Sequence, residues 1–237
     1  MQLLELQNVN TYIAGVQILR NVSFAVEEGE VVCLVGRNGA GKTTTIKSTL
    51  GLLPVKSGKI IFKGNDITNI RTDKIIKMGI GYSPEDRRLF TDFTVEENLK
   101  IPAWGLGKND LDEDWKREIL RLFPELAKVM KNKALHVSGG EGKMVAVARA
   151  LALKPSLLLL DEPLEGLAPI VVERFIKGIK DIEKMGISML IAESNISRAI
   201  KLSDSICIIE RGEVIYKGNA EGVMKNTRLL EIVRGYA

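Results

Sequence analysis

The 237-residue sequence predicts an α/β fold: a mostly parallel sheet core, antiparallel strands at the N-terminus and an inserted helical lobe. Three observations support this prediction. Short apolar runs separated by turn residues fill the first part of the chain, a helical pattern occupies about residues 94–153, and strands alternate with helices after residue 157. Such alternation is typical of a parallel sheet with helices on its faces. The helical stretch is then a lobe inserted between two halves of the core.

The N-terminal strands come first along the chain. Short runs rich in apolar residues, separated by turn signals such as Glu28-Gly29 and Ser57-Gly58, predict strands. They lie at residues 3–6, 22–26, Val31–Val35 and 59–62. These strands are the first elements of the core, which is expected to comprise residues 1–85 and 155–237.

A glycine-rich loop follows the strand Val31–Val35 and precedes a predicted helix over 43–50. Its spacing, Gly-x-x-x-x-Gly-Lys-Thr, lets the backbone wrap an anion so that successive N–H groups face a phosphate chain. Lys42 adds positive charge at the β- and γ-phosphates, and the Thr43 hydroxyl can ligate Mg²⁺. We therefore predict a nucleotide site whose contacts are Gly36, Arg37, Asn38, Gly39, Ala40, Gly41, Lys42, Thr43 and Thr44.

The helical lobe is expected over about residues 86–154. Two breaks interrupt its pattern, one at 104–107 and one at Pro124. The predicted helical segments are 96–99, 112–123 and 143–153.

After the lobe, strand and helix alternate to the end of the chain. The predicted strands are 157–160, 188–192 and Ser205–Glu210, and the predicted helices are Pro169–Lys184, Ile196–Leu202, 220–225 and 227–233.

Two adjacent acids follow the leucine run of the predicted strand 157–160. At the carboxyl end of a strand in an open α/β sheet, such acids meet the ligand crevice. Asp161 is suited to hold Mg²⁺, and Glu162 can orient and deprotonate an attacking water. Together with Lys42, these acids predict hydrolysis of a bound nucleotide.

Ser138-Gly139-Gly140-Glu141 lies about twenty residues upstream of that strand. Taken alone, it is a Ser-x-x-Glu capping box that opens the helix through residue 153. A helix N-terminus preceded by glycines is also an exposed anion site.

Composition narrows the function classes. Hydrophobic residues make up 45% and charged residues 27%, as in a globular protein with a substantial core, and neither a membrane-spanning stretch nor a secretion signal is expected. The net charge of +4 comes from interspersed residues, so no nucleic-acid partner is expected. Cys33 and Cys207 lie in apolar runs and are expected to be buried hydrophobes.

These motifs, in this order and followed by Gly166-Leu167, resemble the ATP-binding-cassette ATPases over essentially the whole chain. The resemblance implies ATP and Mg²⁺ as ligands, with Thr43, Asp161 and Glu85 around the metal. It also implies that Ser138 and the Gly140 N–H serve the nucleotide of a partner protomer.

The resemblance also implies roles for two further regions. Tyr12 matches the aromatic residue that stacks on adenine, although a tyrosine in a strand-edge loop could equally be packing. Residues 164–167 occupy the loop that usually crosses the dimer interface.

A narrower resemblance is to the ATP-binding subunits of branched-chain amino-acid importers. It implies transmembrane permease subunits and a second cassette subunit (identical or different) as partners, and a peripheral position on the cytoplasmic face of the cell membrane. The motifs that carry this resemblance are residues 84–90, 94–99 and 122–126, with 161–163 and 166–169. Related cassettes for urea or short amides share these motifs.

The chain departs from the family pattern at several positions. Ser194, counted here among the catalytic residues, stands where most cassettes place a histidine that contacts the γ-phosphate. Glu85 replaces a glutamine and adds negative charge near the phosphates. Gly142-Lys143 replaces two glutamines, and Lys143 is expected to raise the positive potential at the partner's nucleotide. We therefore predict that this nucleotide site is the weaker half of an asymmetric pair.

Two function classes follow. The first is a transport motor in which ATP closes two cassettes and hydrolysis reopens them. The second is a soluble or regulatory ATP switch with little hydrolysis, motivated by Ser194 and Glu85. Four apolar lobe residues bear on the choice, since they either line a docking groove for a membrane partner or form the core of the lobe. They are Phe90, Phe93, Ile101 and Trp104.

Overall fold

The computed structural model describes residues 1–235, in which strands and helices alternate over most of the chain. The strands are β1 (Gln2–Ile13), β2 (Val16–Glu27), β3 (Val31–Val35), β4 (Val55–Phe62), β5 (Asn65–Asp66), β6 (Ile80–Ser83), β7 (Leu157–Asp161), β8 (Ser188–Glu193), β9 (Ser205–Glu210) and β10 (Glu213–Gly218). The helices are α1 (Lys42–Thr49), α2 (Thr72–Lys77), α3 (Val95–Gly105), α4 (Glu113–Leu122), α5 (Leu126–Val129), α6 (Gly139–Leu151), α7 (Pro169–Lys184), α8 (Ile196–Leu202), α9 (Ala220–Met224) and α10 (Thr227–Arg234).

Two sheets organise the fold. A four-stranded antiparallel sheet has the order β2-β1-β4-β5, and a six-stranded sheet has the order β10-β9-β3-β8-β7-β6. All neighbours in the second sheet are parallel except the edge pair β10–β9. The predicted fold class is therefore confirmed.

The strand β3 shows how the six-stranded sheet separates two apolar layers. Its side chains alternate between faces, so Val31, Cys33 and Val35 join one buried cluster while Val32 and Leu34 join another. Helices α6, α7 and α8 contribute to the first cluster, and the four-stranded sheet and α1 contribute to the second. Because both faces are covered, β3 consists entirely of apolar residues, as is typical of a central parallel strand.

The stretch between β6 and β7 is helical within the described residues and packs against the first cluster through Leu99, Ile119, Leu122 and Phe123. The predicted break at 104–107 is partly wrong, because α3 continues through Trp104 to Gly105 and accommodates Pro102. The boundary between core and lobe at about residues 86 and 154 remains a prediction.

Several elements are longer than predicted or were not predicted at all. The strands β1 and β2 extend well beyond residues 3–6 and 22–26, because they pair with each other along their whole length. The sequence pattern did not predict α2, α5, β5, β6 or β10. All five are short, and β6 is held by pairing with β7, the strand that follows the lobe in the chain.

Both cysteines are buried and free, as predicted. Burial raises the pKa of each thiol to about 12, which keeps both protonated and unreactive. Within residues 1–235, none of the helices combines the length and apolar character that crossing a bilayer requires.

Candidate functional site

The loop between β3 and α1 adopts a conformation that requires glycine. Gly39 has a φ of +83° and Gly41, the residue before the helix, has a φ of +115°. A side chain at Gly36 would collide with the carbonyl oxygen of Ile209. Since Gly41 has no side chain with which to cap α1, the first N–H groups of the helix remain available to an anion held in the loop.

Lys42 lies over this loop. Its Nζ donates to the carbonyl oxygens of Gly36 at 2.7 Å and Arg37 at 3.2 Å, and it lies 3.2 Å from Oε1 of Glu162. The side chain is 5% exposed, and these contacts compensate for burial of its charge. The ammonium group is thereby fixed where the phosphates of a loop-bound nucleotide would lie.

The first turn of α1 meets the end of β7 at a hydrogen bond. Thr43 Oγ1 donates to Asp161 Oδ1 at 2.9 Å, although the two residues are 118 positions apart. Burial raises the pKa of Asp161 to about 6, the hydrogen bond from Thr43 opposes this rise, and the carboxylates of Glu85 and Glu162 add to it. A bound cation would therefore stabilise the ionised carboxylate.

Glu162 is held at both carboxylate oxygens. Oε1 faces Lys42, and Oε2 accepts from the Ser194 N–H at 3.2 Å and the Ser194 hydroxyl at 3.3 Å. Its backbone adopts the left-handed conformation, with a φ of 45°. The predicted catalytic residues Lys42, Glu162 and Ser194 therefore form one contact chain.

Lys42, Thr43 and Glu162 line one pocket of about 440 Å³. Within the described residues it is lined by Ile13, Ile18, Asn38, Gly39, Gly41, Lys42, Thr43, Thr44, Glu85, Glu162 and Glu165. The structure thus brings the phosphate loop together with three glutamates, Glu85, Glu162 and Glu165, from distant parts of the chain.

The residues predicted around a metal ion fit Mg²⁺. Within residues 1–235, no three His, Cys, Asp or Glu side chains cluster closely enough to form a metal site by themselves. Mg²⁺ does not need such a cluster, because it is usually held by one or two carboxylates together with water and substrate phosphates. Thr43, Asp161 and Glu85 line a common groove and supply this kind of donor set.

Some predicted nucleotide contacts lie at the edge of the pocket. Tyr12 is 42% exposed, while Ile13 and Ile18 line the pocket directly. Arg37 is exposed and Ala40 is buried. Adenine stacking by Tyr12 remains a prediction, and the two isoleucines are apolar neighbours that the sequence analysis missed.

Ser138 and Gly140 lie at the N-terminus of α6, which begins with the predicted capping box. Ser138 Oγ accepts from the Glu141 N–H at 3.3 Å, and Glu141 accepts from the Ser138 N–H at 2.8 Å. These residues line a second pocket, of about 590 Å³, together with Gly166 and Leu167. The structure does not bring them to the pocket at this chain's phosphate loop.

The expectation for Lys143 is wrong. Its side chain is buried and donates to the carbonyl oxygens of Glu85 and Glu162, at 2.8 and 2.7 Å. It therefore points toward this chain's own acids and not toward a partner's nucleotide. A lysine in the apolar helical run 143–148 was the available signal, because a buried ammonium must find acceptors.

Glu193 is a buried acid close to the site that the sequence pattern did not single out. It is fully buried at the end of β8, where Oε1 accepts from the Asn195 N–H at 2.9 Å. Burial raises its pKa to about 7, the Asn195 N–H opposes this rise, and the charge of Glu162 adds to it. The position of an acid beside Ser194 at a strand end was the signal.

Three aromatic residues of the lobe are on its surface. Phe90, Phe93 and Trp104 are 51%, 40% and 41% exposed, so the interpretation of these three as lobe core is wrong. The ring centroids of Phe90 and Phe93 are 5.7 Å apart, and those of Phe93 and Trp104 are 6.5 Å apart. Beside them, Phe90 and Ile101 line a mainly apolar groove of about 500 Å³ between the lobe and β6.

Comparison with known proteins places this site in a family context. The family profile described as "ABC transporter" matches residues 19–165. The chain is 35% identical to the high-affinity branched-chain amino acid transport ATP-binding protein BraG of Pseudomonas aeruginosa, over 98% of this chain and 100% of that protein. It is 30% identical to the lipopolysaccharide export system ATP-binding protein LptB of Escherichia coli, over 99% and 98% of the two chains.

Solved structures show the same fold. A crystal structure of the ADP conformation of an ATP-binding cassette of an ABC transporter matches with a TM-score of 0.85 and 27% identity, covering 99% of both chains. A dimeric cassette in a post-hydrolysis state, bound to ADP and phosphate, matches with a TM-score of 0.82 and 25% identity, over 92% of this chain and 98% of that one.

Proposed function

This chain belongs to the ABC transporter family of ATPases, and we propose that it is the ATP-hydrolysing subunit of a membrane transporter that imports branched-chain or related amino acids. The observation that supports the chemical part is the meeting of two distant segments at one pocket. Thr43 bonds to Asp161 and Lys42 contacts Glu162, so the phosphate loop and the acids are already assembled.

The phosphate loop binds the triphosphate of ATP in this proposal. Backbone N–H groups of residues 36–44 and the N-terminus of α1 face the phosphates, and Lys42 carries the compensating charge. The base lies beside β1, where Tyr12 or the pair Ile13 and Ile18 supplies apolar surface. This geometry leaves the γ-phosphate directed toward the end of β7.

Glu162 is the general base in this mechanism. A base must lie within hydrogen-bond reach of the attacking water, and Lys42 and Ser194 hold its carboxylate in one orientation. Thr43 and Asp161 would hold Mg²⁺ with Glu85 close by, and the metal, when bound, neutralises charge on the β- and γ-phosphate oxygens. Ser194 presents a short hydroxyl, so this chain contributes less stabilisation of the γ-phosphate than a longer donor would.

The second pocket supports the proposal of a cassette partner. Ser138 and Gly140 are turned away from this chain's own loop, and they share their pocket with Gly166 and Leu167. A partner protomer that places its nucleotide against α6 would use the Ser138 hydroxyl and the Gly140 N–H. The partner is a second copy of this chain or a different cassette subunit.

Permease subunits are the proposed membrane partners, and the groove beside Phe90 and Ile101 is the proposed docking surface. Its mainly apolar lining and the exposed aromatic rings of Phe93 and Trp104 suit the apolar face of a short helix. Docking there would hold the chain at the cytoplasmic face of the membrane. Amino acids as the cargo, and import as the direction, rest on the relatives' names.

The test is co-purification from solubilised native membranes with a tagged Glu162→Gln variant and ATP. This variant is expected to bind ATP and stay closed, and to bring down permease subunits and a cassette partner. The same variant without ATP is the control, and it should retain the permease but lose the cassette. Recovery of soluble partners alone would contradict the transport proposal and favour an ATP switch with little hydrolysis.

The cargo is tested separately by uptake into vesicles that contain the recovered complex and its substrate-binding protein. ATP-dependent uptake of leucine, isoleucine and valine is expected, with urea as the comparison solute. Uptake of urea alone would replace amino acids as the cargo and leave the ATPase proposal intact.

A further inference from the structure

One buried ammonium group joins the backbones of two acids in the site. Lys143, on α6, is 6% exposed, and its Nζ donates to the carbonyl oxygens of Glu85 and Glu162. Both acids line the pocket at the phosphate loop. A single side chain therefore fixes the peptide groups on two sides of the same site.

Glu162 depends on its surroundings for its conformation. A non-glycine residue with a φ of 45° is sterically disfavoured and is maintained only where the contacts around it impose it. The Glu162 N–H donates to the Ala192 carbonyl at 3.0 Å, and the Glu162 carbonyl accepts from Lys143 at 2.7 Å. These contacts fix the backbone from which the side chain starts, and the contacts with Lys42 and Ser194 orient its carboxylate.

The segment that carries Glu85 is bound to α6 at further points. Arg149 donates to the carbonyl oxygens of Arg87 and Arg88, both at 2.8 Å. Arg87 and Arg88 also have positive φ angles, 62° and 45°. A side chain at Gly142 would approach Nη1 of Arg87 to 2.9 Å, so the glycine leaves space for this guanidinium group.

We propose that Lys143 is a positioning residue for hydrolysis, which holds Glu85 and Glu162 in place against the phosphate loop. This inference rests on the proposed ATPase function of the same site. Gly142 and Lys143 then act as a pair, since one leaves room for Arg87 and the other supplies the ammonium group.

Lys143 lies in the N-terminal part of α6, close to the cap residue of that helix. Ser138 caps this helix, and Lys143 follows about one and a half turns later. Lys143 therefore joins the end of α6 that lines the second pocket to the backbones of the two acids at the phosphate loop.

The first experiment compares Lys143→Met with Lys143→Gln in ATPase and ATP-binding assays. Methionine keeps the length and removes the donors, so kcat should fall on the order of 10–100-fold while the Kd for ATP stays within about threefold. Glutamine restores donors and should recover most of the lost rate. Lys131→Met, an exposed lysine of the same lobe, is the control and should keep the wild-type rate.

A second measurement does not depend on ATPase activity. Amide hydrogen exchange in the segments 85–88 and 162–165 should be faster in Lys143→Met than in Lys143→Gln or the wild type. Unchanged exchange, or a wild-type kcat in Lys143→Met, would overturn the positioning role. A wild-type protein without ATPase activity would instead contradict the proposed function, and the exchange result would still decide the role of Lys143.

Gly142→Ala tests the neighbouring contact, between α6 and Arg87, without removing a charge. Alanine favours a helix over glycine, and the group it meets is the flexible end of Arg87, so the melting temperature should not fall. Displacement of Arg87 should nevertheless loosen residues 85–88 and lower kcat about threefold or more. A loss of stability with unchanged kcat would indicate a packing role only.

Discussion

The N-termini of α1 and α6 are built differently, although both begin beside glycines. Gly41 leaves α1 uncapped, and Lys42 adds a positive charge over the loop. The helix α6 is capped by its own Ser138 and Glu141, and it opens onto a different pocket. The first end therefore needs a ligand to satisfy its N–H groups, whereas the second satisfies part of them itself.

This difference indicates that the two helix N-termini have different roles. The end of α1 is adjacent to the acids at β7, so the phosphate loop and the proposed general base belong to one chain. The end of α6 is stable without a nucleotide, so it can remain intact while the protomers are apart. In the proposed function, its hydroxyl and N–H groups act only when a partner's nucleotide is placed against them.

The largest expected effect is at the α1 end. Glu162→Gln keeps the shape of the side chain but removes the base, so ATP turnover should fall on the order of 10²–10⁴-fold. Binding of ATP should persist, because the phosphate loop is unchanged. Single-turnover kinetics and equilibrium binding check this prediction. The control is Glu173→Gln, an exposed glutamate on α7, and equal rates in both variants would remove Glu162 from the mechanism.

The α6 end is tested by Ser138→Ala. Loss of the cap should cost about 1 kcal/mol of stability, and loss of a donor to the partner's nucleotide should lower turnover about tenfold or more. Thr94→Ala is a matched control, because Thr94 and Glu97 form a capping box of the same kind at the start of α3. Thermal unfolding should change equally in the two variants, and turnover should fall only in Ser138→Ala. Equal turnover would assign Ser138 to helix capping alone.

Ser194→His should raise the rate of ATP hydrolysis at the nucleotide site beside α1. A histidine at this position extends a donor toward the γ-phosphate, so single-site turnover should rise about tenfold. Ser194→Ala is the comparison, since it removes the hydroxyl that contacts Glu162. An unchanged rate in Ser194→His would argue against the interpretation of this site as the weaker half of an asymmetric pair.

The smallest effect concerns stability near the α1 end. Because burial raises the pKa of Glu193 from 4.5 to about 7, the folded state binds this proton more tightly than the unfolded chain does. The resulting stability is present below pH 4.5 and is lost as the pH rises to about 7. Glu193→Gln should remove this loss. The free energy of unfolding of the variant, relative to that of the wild type, should therefore be higher at pH 8 than at pH 5 by on the order of 1–3 kcal/mol.

Thermal unfolding at both pH values checks the Glu193 prediction. Glu173→Gln, which changes an exposed carboxyl, should show no such pH dependence. A Glu193→Gln variant whose gain is the same at both pH values would contradict titration of Glu193 as the cause.

The fold was most predictable where a local pattern is strong. The bounds of β3, α7, α8 and β9 agree with the sequence predictions, because each is a continuous apolar run or an amphipathic helix with clear ends. The strand β6 could not be predicted, since Ile80–Ser83 is short and contains Gly81. It exists because β7 pairs with it after an excursion of more than seventy residues.

The site shows the same division. Three parts of the site were predictable from the sequence, because each depends on neighbours within a few residues. They are the phosphate loop, the acids 161–162 and the capping box at Ser138. The contacts of Ser194 and Lys143 with Glu162 could not be predicted, because they join residues that are 32 and 19 positions apart. Only the packing of β8 and α6 against β7 decides which atoms these side chains can reach.

The sequence by itself determined the chemistry available to this protein: a loop that accepts phosphate, a cation over it, and two acids after a buried strand. The tertiary structure decided which of these groups meet and where Lys143 points. The physical reason is that a buried ammonium must be satisfied by acceptors, and the nearest ones belong to residues that only the folded chain brings to α6.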